Sequence, residues 1–364
     1  MASARALPLE RALGWLSGDP PRGWPARPLV ALIALALAAA PFAFPGVKPL
    51  GVGEKICVMA ALATSYDVLL GYTDIVSFAY VMFFGVGAYG VGLLLYALGP
   101  GWGALALGLV AGLALAGALA LLLGLLSLRV QANFFAMVTL AVAYAFNVLA
   151  SQIPDITGGE DGRSFRVPEI LRPGYKLGQF LGLDVTGRTL TYYLVFAGSA
   201  ALFLILLRVV NSPFGRVCQA IRENPLRAEA LGYRIAVHRT FAILVAALAA
   251  ALAGALNALW LRYVRPDTAL SFSIQIDVLV IVVIGGIGTL YGAIVGAALF
   301  VIAENYLRAG VGALSRGAAD LGLPSLASLL HPDRWLLWLG LLFILAVRFA
   351  PRGIIGELAR RSDR

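Results

Sequence analysis

Charged side chains are scarce in this chain: Asp, Glu, Lys and Arg make up 13% of its 364 residues, 60% are hydrophobic, and the mean hydropathy is +0.88. A soluble domain carries about one quarter charged residues. So few charges cannot clothe a water-soluble core of this size, which excludes an arrangement of two or three soluble domains. Cysteine and histidine number two each. In the topology given below, Cys57 lies across the membrane from Cys218 and His238 from His331, so neither an internal disulfide nor a His-based metal site is expected. None of the three lysines, Lys48, Lys55 and Lys176, follows a glycine. The phosphate-cradling loop of nucleotide hydrolases therefore cannot be built, and no catalytic residue or cofactor is assigned to this chain. Neither Gly-x-Ser-x-Gly nor His-Glu-x-x-His occurs, which places a membrane enzyme a distant third among the readings. No basic cluster with interleaved aromatics is present either. The net charge of +9 is assigned to anionic lipid and protein partners, not to nucleic acid.

What the chain has in abundance is apolar runs of about 20 residues, the length that crosses roughly 30 Å of hydrocarbon. Ten are read, over 28–45, 53–71, 75–98, 103–126, 132–152, 189–209, 240–261, 274–288, 290–307 and 335–349. They predict an all-α polytopic membrane bundle of about ten helices in two pseudo-related halves. The organisation is an amino-terminal tail at 1–27, a transmembrane domain at 28–349 and a carboxy-terminal tail at 350–364. Polar segments at 154–188, 210–239 and 308–334 interrupt the domain. Ala38-Ala39-Ala40 could imitate a signal-peptidase site, but the long preceding segment favours an uncleaved first helix. All 28 Lys and Arg are counted outside the spans, with the larger share on the side of both tails and of 210–239, so that side is read as cytoplasmic.

The ionisable groups read inside spans are Asp67, Asp277 and Glu304, each costly in hydrocarbon. With no cation counted beside them, no intramembrane ion pair is expected. Asp67 is a candidate ion or proton site, while Asp277 and Glu304 are expected near span ends, bonded to Ser or Tyr. Glycine gathers at Gly71, Gly85, Gly87 and Gly90 and again at Gly285, Gly286, Gly288, Gly292 and Gly296. Such clusters mark a solute pathway in repeat-built transporters, or simply close helix approach.

Segment 210–239 is the most informative. Ser212-Pro213 and Asn224-Pro225 are each an N-cap followed by proline at the first helical position, and Gly232 suits a left-handed helix end. Two short capped helices are predicted where four or five residues would connect the spans. They would present Arg222, Glu223, Asn224, Pro225, Arg227, Glu229 and Gly232 to a soluble partner. The bland alternative is an amphipathic helix lying on lipid. The segment around 310–324 reads as a less ordered connection.

The blocks 211–216, 220–225 and 228–232 resemble the signature of the branched-chain amino acid ABC transporter permeases, LivM type. Gly71-Tyr72 through Tyr89, Thr157-Gly158-Gly159-Glu160-Asp161-Gly162, Gly285 through Gly292, and Phe349-Ala350-Pro351-Arg352-Gly353 agree, in order, over roughly 51–356. The resemblance implies a subunit of a type II ABC importer in the bacterial inner membrane, moving a branched-chain or other amino acid, an amide or urea. Its partners would be a second, LivH-like permease, two cytoplasmic ATPases that bind ATP and Mg, and a periplasmic binding protein. It further implies ATPase coupling at 222–232. Pathway or gating roles would fall to Asp67, Tyr72, Asp74, Ser77, Tyr80, Phe84, Tyr89, Gly285, Gly286 and Gly288. An outer mouth near the docked binding protein would lie at Thr157, Gly158, Gly159, Glu160 and Asp161. The family pattern has glycine where Asp74 stands, histidine where Tyr80 stands, and commonly asparagine at Asp67. The competing function is a stand-alone secondary transporter or channel using Asp67.

Overall fold

The computed structural model describes residues 26–43, 46–127, 132–180, 183–320, 331, 334–350 and 353–362. The tail up to position 25, Arg129, Pro324, Pro351 and Arg352 lie outside the described residues. In chain order the main helices are α1 (Ala26–Ala43), α2 (Val47–Thr73), α3 (Tyr80–Leu98), α4 (Trp102–Ser127) and α5 (Ala132–Gln152). A one-turn helix α6 (Pro154–Thr157) and strands β1 (Arg163–Ser164), β2 (Lys176–Phe180) and β3 (Leu183–Thr186) follow. Then come α7 (Gly187–Asn211), α8 (Pro213–Glu223), α9 (Pro225–Ala230), α10 (Ile235–Leu261), β4 (Tyr263–Val264) and α11 (Pro266–Ala269). The chain continues with α12 (Phe272–Gly285), α13 (Leu290–Asp320), α14 (Trp335–Phe349) and α15 (Gly353–Ser362). Among the described residues eight helices are long and apolar enough to cross a membrane, and the shorter apolar α1 and α14 occupy the first and last expected spans.

α2 has no separate polar face, its few charged residues being scattered among apolar ones, and it is buried almost throughout, with α7, α10 and α13 packed around it. α3 lies between α10 and α4. α4 shows how such helices associate where lipid is as apolar as leucine. Ala104, Gly108, Gly112, Ala116, Ala120 and Gly124, four residues apart, form its buried stripe, while Leu107, Val110, Leu115, Leu122 and Leu125 point outward. Small side chains let backbones approach and gain dispersion contacts that bulkier ones would forfeit. Gly87 on α3 and Gly254 on α10 serve the same purpose, since a Cβ on either would collide with the facing backbone at Ala251 or Phe84.

α1 is tied to α7 by a defect it carries. Pro41 lacks the N–H that would bond the Leu37 carbonyl four residues earlier. The Tyr192 hydroxyl donates to that carbonyl at 2.8 Å, and the Tyr193 hydroxyl donates to the Ala38 carbonyl at 2.8 Å. The alanines that imitate a cleavage site are thus turns of a docked helix.

Three expectations are corrected. Lys55, counted among the flanking cations although the second span was read from position 53, lies in the third turn of α2 and bonds Glu304 of α13 at 2.7 Å. An ion pair within the bundle therefore exists, and Glu304 is held by a lysine and not by Ser or Tyr, the opposite charge offsetting the cost of each group in an apolar span. Of the segment around 310–324, expected as a less ordered connection, the described part continues α13 to Asp320, since its Ala, Leu and Arg favour helix and no proline intervenes. The eighth span ends at Gly285, so Gly286, Ile287, Gly288 and Thr289 form the turn between α12 and α13. The carboxy-terminal tail, for its part, contains α15, whose Ile355 is buried with Val295 against α1.

Candidate functional site

The expected site residues divide between the two ends of the bundle. α10 begins beside the 212–232 segment and ends at β4; its 27 residues span about 40 Å.

At the first end, the polar segment folds as two short helices, of which only the second carries the expected side-chain cap. Asn224 Oδ1 accepts from the Arg227 backbone N–H at 3.0 Å, Pro225 takes the first helical position, and Gly232 adopts a left-handed φ of +89° after the helix end. Ser212 occupies the N-cap of α8, but its hydroxyl donates backward to the Val209 carbonyl at 2.6 Å and caps no N–H. Ile221, Ala228 and Cys218 face the bundle, leaving Glu223, Arg227 and Glu229 exposed. Burial pushes the Cys218 thiol up to about 11. Arg222 is exposed like its charged neighbours but also makes an inward contact. Its guanidinium Nη1 donates to the backbone carbonyl of Gly71, in the last turn of α2.

Gly71, Asp67, Gly288 and Arg222 meet at that point. Asp67 is fully buried; its Oδ1 accepts from the Gly288 backbone N–H at 2.8 Å, and its Oδ2 has no hydrogen-bond partner. Gly288 has φ +82°, and a Cβ on Gly71 would collide with both Asp67 Oδ1 and the Gly288 backbone. Tyr72, next to Gly71 on α2, is buried. Gly285 and Gly286 are buried at the head of the same turn. Asp74, exposed at the C-cap of α2, adopts φ +55° and ψ +31°, the left-handed region that glycine enters freely and Asp enters more readily than most residues. The glycine implied at this position by the resemblance has its physical reason there.

Ser77, Tyr80 and Phe84 lie deeper and are buried. The Tyr80 hydroxyl donates to the Ala246 carbonyl of α10 at 2.9 Å and lies against Ser65 Oγ of α2, so it ties three helices. Tyr89 sits toward the opposite end, its hydroxyl buried without a hydrogen-bond partner.

At that opposite end, Thr157 Oγ1 lies 2.6 Å from the Ala150 and Ile153 carbonyls, and Gly158 and Gly159 take positive φ. Glu160 and Asp161 are exposed. The turn is fastened to α10 through β1 pairing with β4 and through Tyr263, whose hydroxyl donates to the Asp161 carbonyl.

Sequence reasoning passed over several polar residues. Gln275 is buried, and its Oε1 accepts from the Val81 N–H at 3.2 Å; Thr139 Oγ1 accepts from the Phe78 N–H at 3.1 Å. Glu54 is buried, with Oε1 unpartnered. A lone Gln in an otherwise apolar run, and a Glu-Lys pair inside a span boundary, were the available signals. An apolar cavity of about 400 Å³, bounded by Leu37, Cys57, Phe196, Phe203 and Tyr291, opens between α1, α2, α7 and α13. None of the expected pathway residues lines it.

The family of branched-chain amino acid transport system permease components matches residues 54–347. The chain belongs to this family. It is a permease subunit of an ABC importer and carries the transmembrane helices of one. The LivM permease protein of the high-affinity branched-chain amino acid transport system of Escherichia coli is 30% identical over 296 residues, covering 77% of this chain and 68% of the relative. The LivM protein of Salmonella typhimurium is 30% identical over 263 residues, 68% of this chain and 60% of the relative. The LivH permease protein of Escherichia coli is 22% identical over 250 residues, 67% of this chain and 80% of the relative. No solved structure matches the permease.

Proposed function

We propose that this permease forms half of the transmembrane pathway for a branched-chain amino acid or a similar small solute. A second, LivH-like permease completes the pathway, two ATPases dock at the end that carries α8 and α9, and a binding protein delivers solute at the end that carries Thr157 to Asp161. The membrane is the bacterial inner membrane, with both termini and the α8–α9 segment cytoplasmic and ATP and Mg bound by the ATPases alone.

One observation carries this reading. α8 and α9 hold an exposed charged ridge of Glu223, Arg227 and Glu229 on two successive helices, the second capped by Asn224, beside the contact between α2 and the α12–α13 turn. A connector needs neither the cap nor the length. A ridge so built receives force from a soluble neighbour and passes it to packed helices, which respond by discrete shifts.

The test is co-purification. The permease carrying Glu223→Ala, Arg227→Ala and Glu229→Ala together should insert normally and lose the ATPases that accompany the wild type from detergent. Retention of both ATPases, or solute transport by the isolated wild-type chain in liposomes under a pH gradient, would overturn the reading, the latter in favour of a secondary transporter using Asp67.

A further inference from the structure

Arg222 is the penultimate residue of α8, yet its guanidinium is spent on a carbonyl 151 residues earlier in the chain. That carbonyl is available for a reason. The last carbonyls of a helix have no intrahelical donor. At the end of α2 the Leu69 carbonyl collects the Thr73 hydroxyl at 2.7 Å, the Ile75 N–H at 3.2 Å and the Asp74 N–H, which leaves the Gly71 carbonyl to Arg222. A cation at the negative end of a helix dipole is favoured there.

Asp67 stands one turn earlier on the same face of α2. Its Oδ1 holds the Gly288 amide, but its Oδ2 is buried and bonded to nothing, a cost this conformation bears. The guanidinium is close at hand: a Cβ on Gly288 would sit 3.3 Å from Arg222 Nη1 and 3.2 Å from the Gly71 carbonyl oxygen. Arg222, Gly71, Gly288 and Asp67 therefore share one small contact, in which a cationic fork of five N–H donors has an occupied seat on Gly71 and a vacant one on the Asp67 carboxyl, a group able to ionise as it receives the cation.

We propose that Arg222 is the positioning residue that converts displacement of α8 and α9 into movement of the α12–α13 turn, by transferring its guanidinium from the Gly71 carbonyl to Asp67 Oδ2. The inference rests on the proposed docking of ATPases at α8–α9 and assigns Arg222 a role there other than touching them. With Arg222 on Gly71, α2 and α8 are clasped and the Gly288 amide stays on Asp67. With Arg222 on Asp67, the guanidinium turns the carboxylate toward α8, the bond from the Gly288 amide to Oδ1 is drawn out of line, and the turn is released from α2. The two seats lie a helical turn apart on α2, so a shift of α8 along it exchanges one for the other and the element takes two arrangements, not a continuous range.

The experiment uses the complete importer in liposomes, with radiolabelled leucine as the probe, and reads leucine moved per ATP hydrolysed on complexes that retain both ATPases. Arg222→Ala should lower that ratio at least tenfold. Asp67→Asn keeps an oxygen for the Gly288 amide, removes the charge that draws the guanidinium, and should lower the ratio by a similar factor. The double variant should be no lower than either single one, and Arg222→Lys, which keeps charge and reach, should restore at least a third of the wild-type ratio. A wild-type ratio in Arg222→Ala or in Asp67→Asn overturns the proposal, as do single losses that multiply in the double variant. If Arg222→Ala does not assemble, Asp67→Asn and Arg222→Lys decide between the same outcomes. Failure of the docking reading shows separately, as ATPases retained by the triple variant at Glu223, Arg227 and Glu229.

Discussion

A buried thiol on α8 reports on the packing of the proposed lever without disturbing it. Cys218 is 3% exposed, and its burial raises the thiol to about 11, so at pH 8 about one part in a thousand is thiolate, the form that reacts. In a Cys57→Ser background, maleimide labelling of the native permease should be slow at pH 7.5 and should rise about tenfold per pH unit up to pH 10. An ordinary thiol would level off near pH 9, and that plateau would show α8 to be loosely seated. The residue scale is also where the sequence was least legible. That Asp67 is buried follows from its apolar neighbours, but its contact with Gly288, 221 residues later, leaves no local trace. The bond from Arg222 to Gly71 is equally invisible, because on a short amphipathic helix an exposed arginine that reaches a carbonyl and one that does not have the same spacing. Lys55 shows the converse. It lay inside an apolar run in plain view, and assigning it to a flank concealed an ion pair.

At the scale of elements, more could be read. Runs of about 20 apolar residues fix where helices lie, and proline and glycine fix where α8 and α9 begin and end, since both act through local backbone geometry. Their ends drift where side-chain bonds compete, as when Ser212 bonds backward to Val209. The same local logic makes α9 vulnerable. Its single turn from Pro225 to Ala230 depends on the Ala228 N–H donating to the Asn224 carbonyl at 3.1 Å. Ala228→Pro removes that donor at a cost of about 3 kcal/mol, comparable to the whole stability of so short a helix. Transport should be abolished while membrane insertion, measured by protease protection of the loops, stays normal; uptake at the wild-type rate would show α9 to be dispensable.

For the molecule as a whole, the pairs that join distant elements decide stability. Lys55 and Glu304 link α2 to α13 with side chains a third and a quarter exposed, so the pair is partly screened. Lys55→Met alone strands Glu304 and should lower the thermal midpoint of the detergent-solubilised permease, by a free energy of about 2 kcal/mol, below the 3–5 typical of a dry pair. Adding Glu304→Leu should recover most of the loss, because two apolar side chains replace the pair without leaving a lone charge. If the double variant is no better than the single one, the pair holds α2 against α13 in a way that packing cannot replace.

The placing of that pair has a mechanical consequence. Lys55 and Gly71 are fastened to neighbours at points about 24 Å apart along α2, one through Glu304 and the other through Arg222 and Gly288. A stiff rod pinned near both ends cannot absorb a push at one of them by bending. Two such fastenings fix the tilt of the helix as well as its position, so a change of contact at Gly71 turns α2 about Lys55.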